Sequence, residues 1–179
     1  MRREDGFTLI ELLTVMALTT VLLTLSAIAV RHFMFVQALS TSTDSVTTQM
    51  RQAQQQAESE SHPLVYGVWF INVGDSTRWG TLQYDPDPTL PWPCKEIGKR
   101  GFERGVQVES VSFAVDSVRT SECRTALGSA GVDESASAQI AFFYARGTAT
   151  PGSVTLEQTV LDRTTTLDVT GITGRVSEQ

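Results

Sequence analysis

Between Gly6 and Pro63 the chain contains neither glycine nor proline, while the other 12 glycines and all 6 prolines fall from Pro63 onward. These two residues are the strongest helix breakers, so a 56-residue stretch without them predicts one long helix or two nearly continuous ones. At about 1.5 Å per residue that helix would be about 84 Å long. A chain of 179 residues cannot bury such an element along its full length. Part of it must project.

The two halves of this stretch differ in kind. Phe7 to Val30 holds 17 apolar residues, five threonines, one serine and Glu11. As a helix, 24 residues span about 36 Å, enough to cross a bilayer. Beyond Arg31 the apolar residues thin out to Val36, Leu39, Val46, Met50, Ala53 and Ala57, with Thr43 filling the gap. Steps of three and four residues give one apolar stripe, which suits a helix lying on a folded domain. The run "STSTDSVTT" (40–48) has poor helix propensity and predicts a bend or looser turn there.

From Pro63 the pattern changes to strands. "PLVYGVWFINV" (63–73) is β-branched and aromatic, and "WGTLQY" (79–84) follows a short Gly-Asp turn. "GVQVESVSFAV" (105–115) alternates, and "AQIAFFYA", "GSVTLEQTV" and "TTLDVTG" supply three more strands. The proline-rich "DPDPTLPWPC" predicts a loop, as does the Ser-, Ala- and Gly-rich region 116–137. Antiparallel strands packed on one amphipathic helix make an α+β fold. The predicted organisation is a leader (1–6), a membrane-spanning helix (7–30), an amphipathic helix (31–62) and a β-rich domain (63–179). No internal repeat is evident.

The formal net charge is −6, so the chain is not built as a general polyanion binder. Its densest basic run, "CKEIGKRGFERG" (94–105), brings Lys95, Lys99, Arg100 and Arg104 together with Glu96 and Glu103. Phe102 could stack on a base there, and Lys99, Arg100 and Arg104 are the candidate anion or DNA contacts, but the run reads first as a solvated loop. Neither histidine, His32 nor His62, stands in a catalytic spacing, and His62 reads as a helix-end residue. No phosphate loop or dinucleotide fingerprint is present, so no enzyme activity and no cofactor are expected. Cys94 and Cys123 lack the spacing of a metal site. They are two unrelated thiols or, if the domain lies outside the membrane, a disulfide.

The start of the chain decides the compartment. "MRRED" with "SAIAV" could be a secretory signal cleaved after Ala29, although the apolar stretch is too long and holds a glutamate. An ordinary signal anchor, with Arg2 and Arg3 on the cytoplasmic side, gives a sound topology but leaves Glu11 without a purpose. A third reading uses every feature. "RREDGFTLIELL" resembles the leader of type IV pilins and of the pseudopilins of type II secretion. The resemblance implies cleavage between Gly6 and Phe7 by a prepilin peptidase and methylation of Phe7. It also implies an assembly role for Glu11, whose carboxylate would meet the N-terminal amine of a neighbouring subunit. Glu4 and Asp5 make this leader less basic than usual, and Ile28 stands near where many pilins have a kinking proline.

The C-terminal part has a second resemblance. "IAFFYARGTATPGSVTL" (140–156) and "LDVTGITGRV" (167–176) are similar to the end of GspH/FimT-type domains, with Arg146-Gly147 and Gly174-Arg175 as the matching pairs. Together the two resemblances imply a minor pilin or pseudopilin with hetero-oligomeric pilin partners. It would be a single-pass protein of the inner or cytoplasmic membrane that moves into a filament at the cell surface or in the periplasm. A disulfide between Cys94 and Cys123 follows from that outward topology. A DNA-binding tip subunit and a membrane-anchored β-domain unrelated to pili remain the alternatives. The sequence does not choose among secretion, pilus and competence machines.

Overall fold

The computed structural model describes residues 9–60, 64–73, 76–87, 93–129 and 139–178. The Gly74-Asp75 turn, His62 and the centre of the proline-rich loop lie outside the described residues. Helix α1 (Leu9–Ser59) runs without a break for 51 residues. The predicted looser turn at 40–48 does not form. Ser42, Thr43 and Val46 are buried against the domain, and Thr43 Oγ1 donates to the Leu39 carbonyl at 2.9 Å. Tertiary packing thus overrides the weak local propensity of that run.

Two four-stranded antiparallel sheets pack on the C-terminal half of α1. The first has the order β3-β2-β1-β5, built from β1 (Val65–Val73), β2 (Ser76–Tyr84), β3 (Cys94–Gly101) and β5 (Gln139–Phe143). The second has the order β4-β6-β7-β8, from β4 (Val106–Phe113), β6 (Gly152–Gln158), β7 (Arg163–Val169) and β8 (Val176–Glu178). The architecture is therefore α+β, one long helix against antiparallel sheets.

The stripe on α1 meets both sheets in one core. Leu39, Val46, Met50, Ala53 and Ala57 pack with Tyr66, Val68 and Phe70 of β1 and with Val154, Leu156, Leu167, Val169 and Val176 of the second sheet. Alternate residues of β1 point the other way: Val65, Trp69 and Ile71 join Leu82, Ile140, Phe142, Cys94 and Cys123 in a second cluster. Hence β1 is buried on both faces, which is why it reads as a nearly continuous apolar run. Trp69 sets one local rule. Its indole lies over Gly80 on the paired strand, where a Cβ would come within 2.7 Å of the ring and 2.1 Å of the Gly98 carbonyl.

A β-bulge explains an irregularity in β4. Val106 and Val108 are buried at even positions and Phe113 at an odd one. The pairing shifts between Val108 and Ser110, so the bulge at Glu109 returns the later residues to the inner face.

Three elements differ from the sequence reading. Region 116–137 is predicted as loop, yet α2 (Ser117–Ser129) forms there. Asp116 starts it: the Thr120 N–H donates to the Asp116 carbonyl at 2.9 Å, and the Arg119 N–H donates to its side chain at 3.3 Å. The "solvated loop" of 94–105 is largely β3, an edge strand whose exposed basic residues alternate with partly buried ones. A short β8 closes the second sheet after Gly174-Arg175.

Candidate functional site

The N-terminal half of α1 stands clear of the domain. From Leu9 to Met34 every large apolar side chain is exposed, with Leu9, Ile10, Leu18, Leu23 and Ile28 each more than 60% accessible. By length and composition this helix can cross a membrane. Its hydroxyl groups do not oppose that role. Thr14, Thr19, Thr20, Thr24 and Ser26 all donate to carbonyls three or four residues back, at 2.8–3.0 Å. Each of these five hydroxyls is satisfied within the helix, so none of them needs water.

Glu11 lies in the first turn of the described helix. Gly6 and Phe7, the predicted cleavage and methylation positions, lie outside the described residues.

The basic run does not gather into one patch. Lys99 and Arg100 are neighbours on β3 and so face opposite sides of the sheet. The Arg100 guanidinium sits over Trp79, 5.8 Å from the ring centre, while Arg104 occupies the β3–β4 turn. Phe102 packs beside Trp79 at 6.0 Å instead of projecting outward.

The two glycine-containing turns, by contrast, meet. Gly147 and Gly174 both adopt positive φ, at 74° and 59°. A Cβ on Gly174 would lie 2.9 Å from the Gly147 carbonyl and 3.0 Å from Gln54 Nε2, and one on Gly147 would lie 3.0 Å from Glu58 Oε1. Gln54 Nε2 donates to the Thr173 carbonyl at 3.0 Å. Both turns therefore dock on the last part of α1. Arg146 and Arg175 are exposed beside them, and Arg175 shares a shallow depression with Arg51.

Cys94 and Cys123 are joined by a disulfide with a Cα–Cα distance of 5.1 Å, tying α2 to the start of β3. Around it lies a polar cluster that the sequence reading does not contain. The Arg119 guanidinium pairs with Asp116 and lies over the rings of Tyr84 and Tyr144, at 5.5 and 5.3 Å. Tyr144 donates to Asp116 Oδ2 at 3.1 Å. The helix-start signal of Asp116 before Ser117 was available in the sequence. Tyr84 and Tyr144 are too distant in the chain to be linked by inspection.

Burial, with the Asp116 carboxylate beside it, pushes the Tyr144 hydroxyl up to about 12. Burial works against the Asp116 carboxylate, but the bonds from Arg119 and Tyr144 outweigh it and hold that carboxyl below its usual range. A raised folded-state value favours the protonated phenol in the fold. Its contribution is complete below the ordinary tyrosine range near ~10 and is lost as pH rises toward about 12. Urea midpoints should therefore fall steeply above pH ~10, and Tyr144→Phe should flatten that fall while lowering the neutral-pH midpoint. Burial also raises Tyr66, and the Glu122 side chain raises Tyr84, so some slope should persist in the variant. Equal slopes in the two proteins would show that Tyr144 does not carry the effect.

An exposed apolar helix carrying a head of two antiparallel sheets is consistent with the α+β pilin fold. Residues 1–27 match the family model described as the prokaryotic N-terminal methylation motif, a match that supports a type IV pilin-like protein. No curated protein and no solved structure matches it. The motif implies processing by a prepilin peptidase and assembly with other pilins in the membrane, as a structural subunit. The match ends at residue 27 and bears on the leader and the first part of α1 only.

Proposed function

We propose that the chain is a GspH/FimT-type minor pilin or pseudopilin that initiates, caps or decorates a type IV pilus or a type II secretion pseudopilus. One observation carries this reading: a prepilin-type motif precedes a helix that exposes every large apolar side chain from Leu9 to Met34 and satisfies its hydroxyls there internally. In it, Arg2 and Arg3 hold the N-terminus in the cytoplasm, residues 7–30 span the bilayer, and the head lies outside. Prepilin peptidase cuts after Gly6 and methylates Phe7. Glu11 then meets the new N-terminal amine of an adjacent subunit, a pairing that makes the buried carboxylate tolerable and fixes axial register. The separation of Lys99 and Arg100 on opposite faces, with the net charge of −6, supports a structural role over DNA binding.

Coexpression with a prepilin peptidase should shorten the chain by its first six residues and leave a methylated Phe7, read by intact-mass spectrometry and N-terminal sequencing. Gly6→Glu should abolish the cut. A mature N-terminus at Val30 would instead establish a secretory signal and reject the proposal.

A further inference from the structure

The C-terminal half of α1 enters the head at a defined height. Gln158, wholly buried at the end of β6, donates to the Phe35 carbonyl at 3.4 Å and to the Arg104 carbonyl at 3.2 Å. Near by, the Glu103 N–H donates to Ser42 Oγ at 3.3 Å. These bonds fix the β3–β4 turn and the end of β6, where the β6–β7 turn begins, to the helix just beyond its exposed apolar part. Phe35 lies five residues past Val30, about 7.5 Å along the axis. The headgroup layer of a bilayer leaflet is about 5–7 Å thick. This end of the head therefore stands at the lipid surface whenever residues 7–30 fill the hydrocarbon.

Its chemistry fits that position. Arg31 on the helix, Arg78 at the start of β2, Arg100, Arg104 and Arg163 are all exposed and all at this end. The acidic residues there, among those described, are Glu103, Asp162, Asp44 and Glu157, and Glu157 accepts a bond from Gln107 at 3.0 Å. The opposite end carries Glu58, Glu60, Asp85, Asp87 and Asp116 together with Arg51, Arg119, Arg146 and Arg175, so it has no basic excess. In a chain of net charge −6, the described residues of the first end thus hold five arginines against four acids, a small basic excess. Val160, at the tip of the β6–β7 turn, is 59% accessible, a small apolar side chain set beside the arginines.

We propose that the β3–β4 and β6–β7 turns form an electrostatic seat on anionic phospholipid headgroups, which holds the head against the membrane before assembly. Basic side chains within a Debye length of an anionic leaflet are drawn to it, and the attraction is screened by salt. The two turns are rigidly tied to α1, so the head needs no rearrangement to use them. Extraction into a filament must break these contacts, which makes the lipid composition of the membrane a control on assembly. The inference rests on the membrane-anchored reading above.

The test uses the full chain in nanodiscs of phosphatidylcholine alone or mixed with phosphatidylglycerol, followed by amide hydrogen exchange. Residues 101–106 and 158–164 should exchange at least about fivefold more slowly in the anionic discs, the scale of one basic side chain's attraction to such a surface. High salt should remove the difference. So should the pair Arg104→Glu and Arg163→Glu, both exposed, with exchange in β1 unchanged as the control for folding. Equal exchange in the two lipids, whether fast or slow, would overturn the seat. So would protection of these turns by duplex DNA that exceeds that given by phosphatidylglycerol. Amides 12–28 report separately: fast exchange there in both lipids would overturn the anchoring itself, whereas slow exchange with unprotected turns would overturn the seat alone.

Discussion

Replacing Cys94 and Cys123 by serine is expected to lower the stability of the head by about 3–4 kcal/mol, the chain-entropy value for a loop of this size, the two residues being 29 apart. The loss should begin at α2. Cys123 is fully buried and Cys94 nearly so, and both belong to the cluster formed by Val65, Trp69, Leu82 and Phe142. Apart from Cys123, the described side chains of α2 are exposed or half-buried, and the Asp116–Arg119–Tyr144 cluster holds only its first turn. Serine in place of sulfur would also leave hydroxyls in an apolar cluster, which costs about 1–3 kcal/mol when unbonded. Urea unfolding with and without reductant gives the number, and hydrogen exchange over 117–123 gives the order. A change below about 1 kcal/mol, the scale of one ordinary hydrogen bond, would mean that α2 is held by its polar cluster and not by the bond.

Glu11→Val should leave the protein in the membrane and remove it from filaments. A carboxylate within an apolar span is a burden on insertion, so valine should insert at least as well as glutamate. In the filament the balance reverses under the proposed pairing. The neighbour's amine would be left in an apolar setting without its partner, and breaking a buried ion pair in this way costs about 3–5 kcal/mol. That is more than about a hundredfold in incorporation, since ~1.4 kcal/mol is tenfold. Glu11→Gln should show an intermediate loss and Glu11→Lys a greater one, as two cations would then face each other. The readout is mature protein in sheared filaments relative to the membrane fraction. Wild-type incorporation of the valine variant would exclude Glu11 as the assembly contact.

The long helix was legible because its signal is subtractive: 56 residues lack both breakers, and no local preference has to be weighed. The buried stripe followed from spacing, and Leu39, Val46, Met50, Ala53 and Ala57 are all inward in the structure. Six of the eight described strands were visible for a similar reason, as period-2 or continuous apolar runs. Strand β3 was hidden because an edge strand with Lys95, Lys99 and Arg100 outward has the composition of a loop. Helix α2 was hidden because it has almost no apolar face; a disulfide and a capping aspartate hold it instead. The leader motif is contiguous and so was readable at once. The tyrosine–arginine–aspartate cluster joins residues from 84 to 144 and has no linear signature.

The single core shared by α1 and both sheets has a consequence during biosynthesis. The helix stripe ending at Ala57 is covered in part by Val154, Leu156, Leu167, Val169 and Val176, which are made long after it. At ~5–20 residues per second, the interval between synthesis of Ala57 and of Val176 is roughly 6–24 s. Throughout it, Val46, Met50 and Ala53 stay open on the second-sheet side while the preceding half of the same helix is already partitioning into lipid. The head therefore cannot mature in step with the ribosome. It closes only after β6, β7 and β8 arrive, so until those strands are made the stripe stays open to holdase chaperones and proteases.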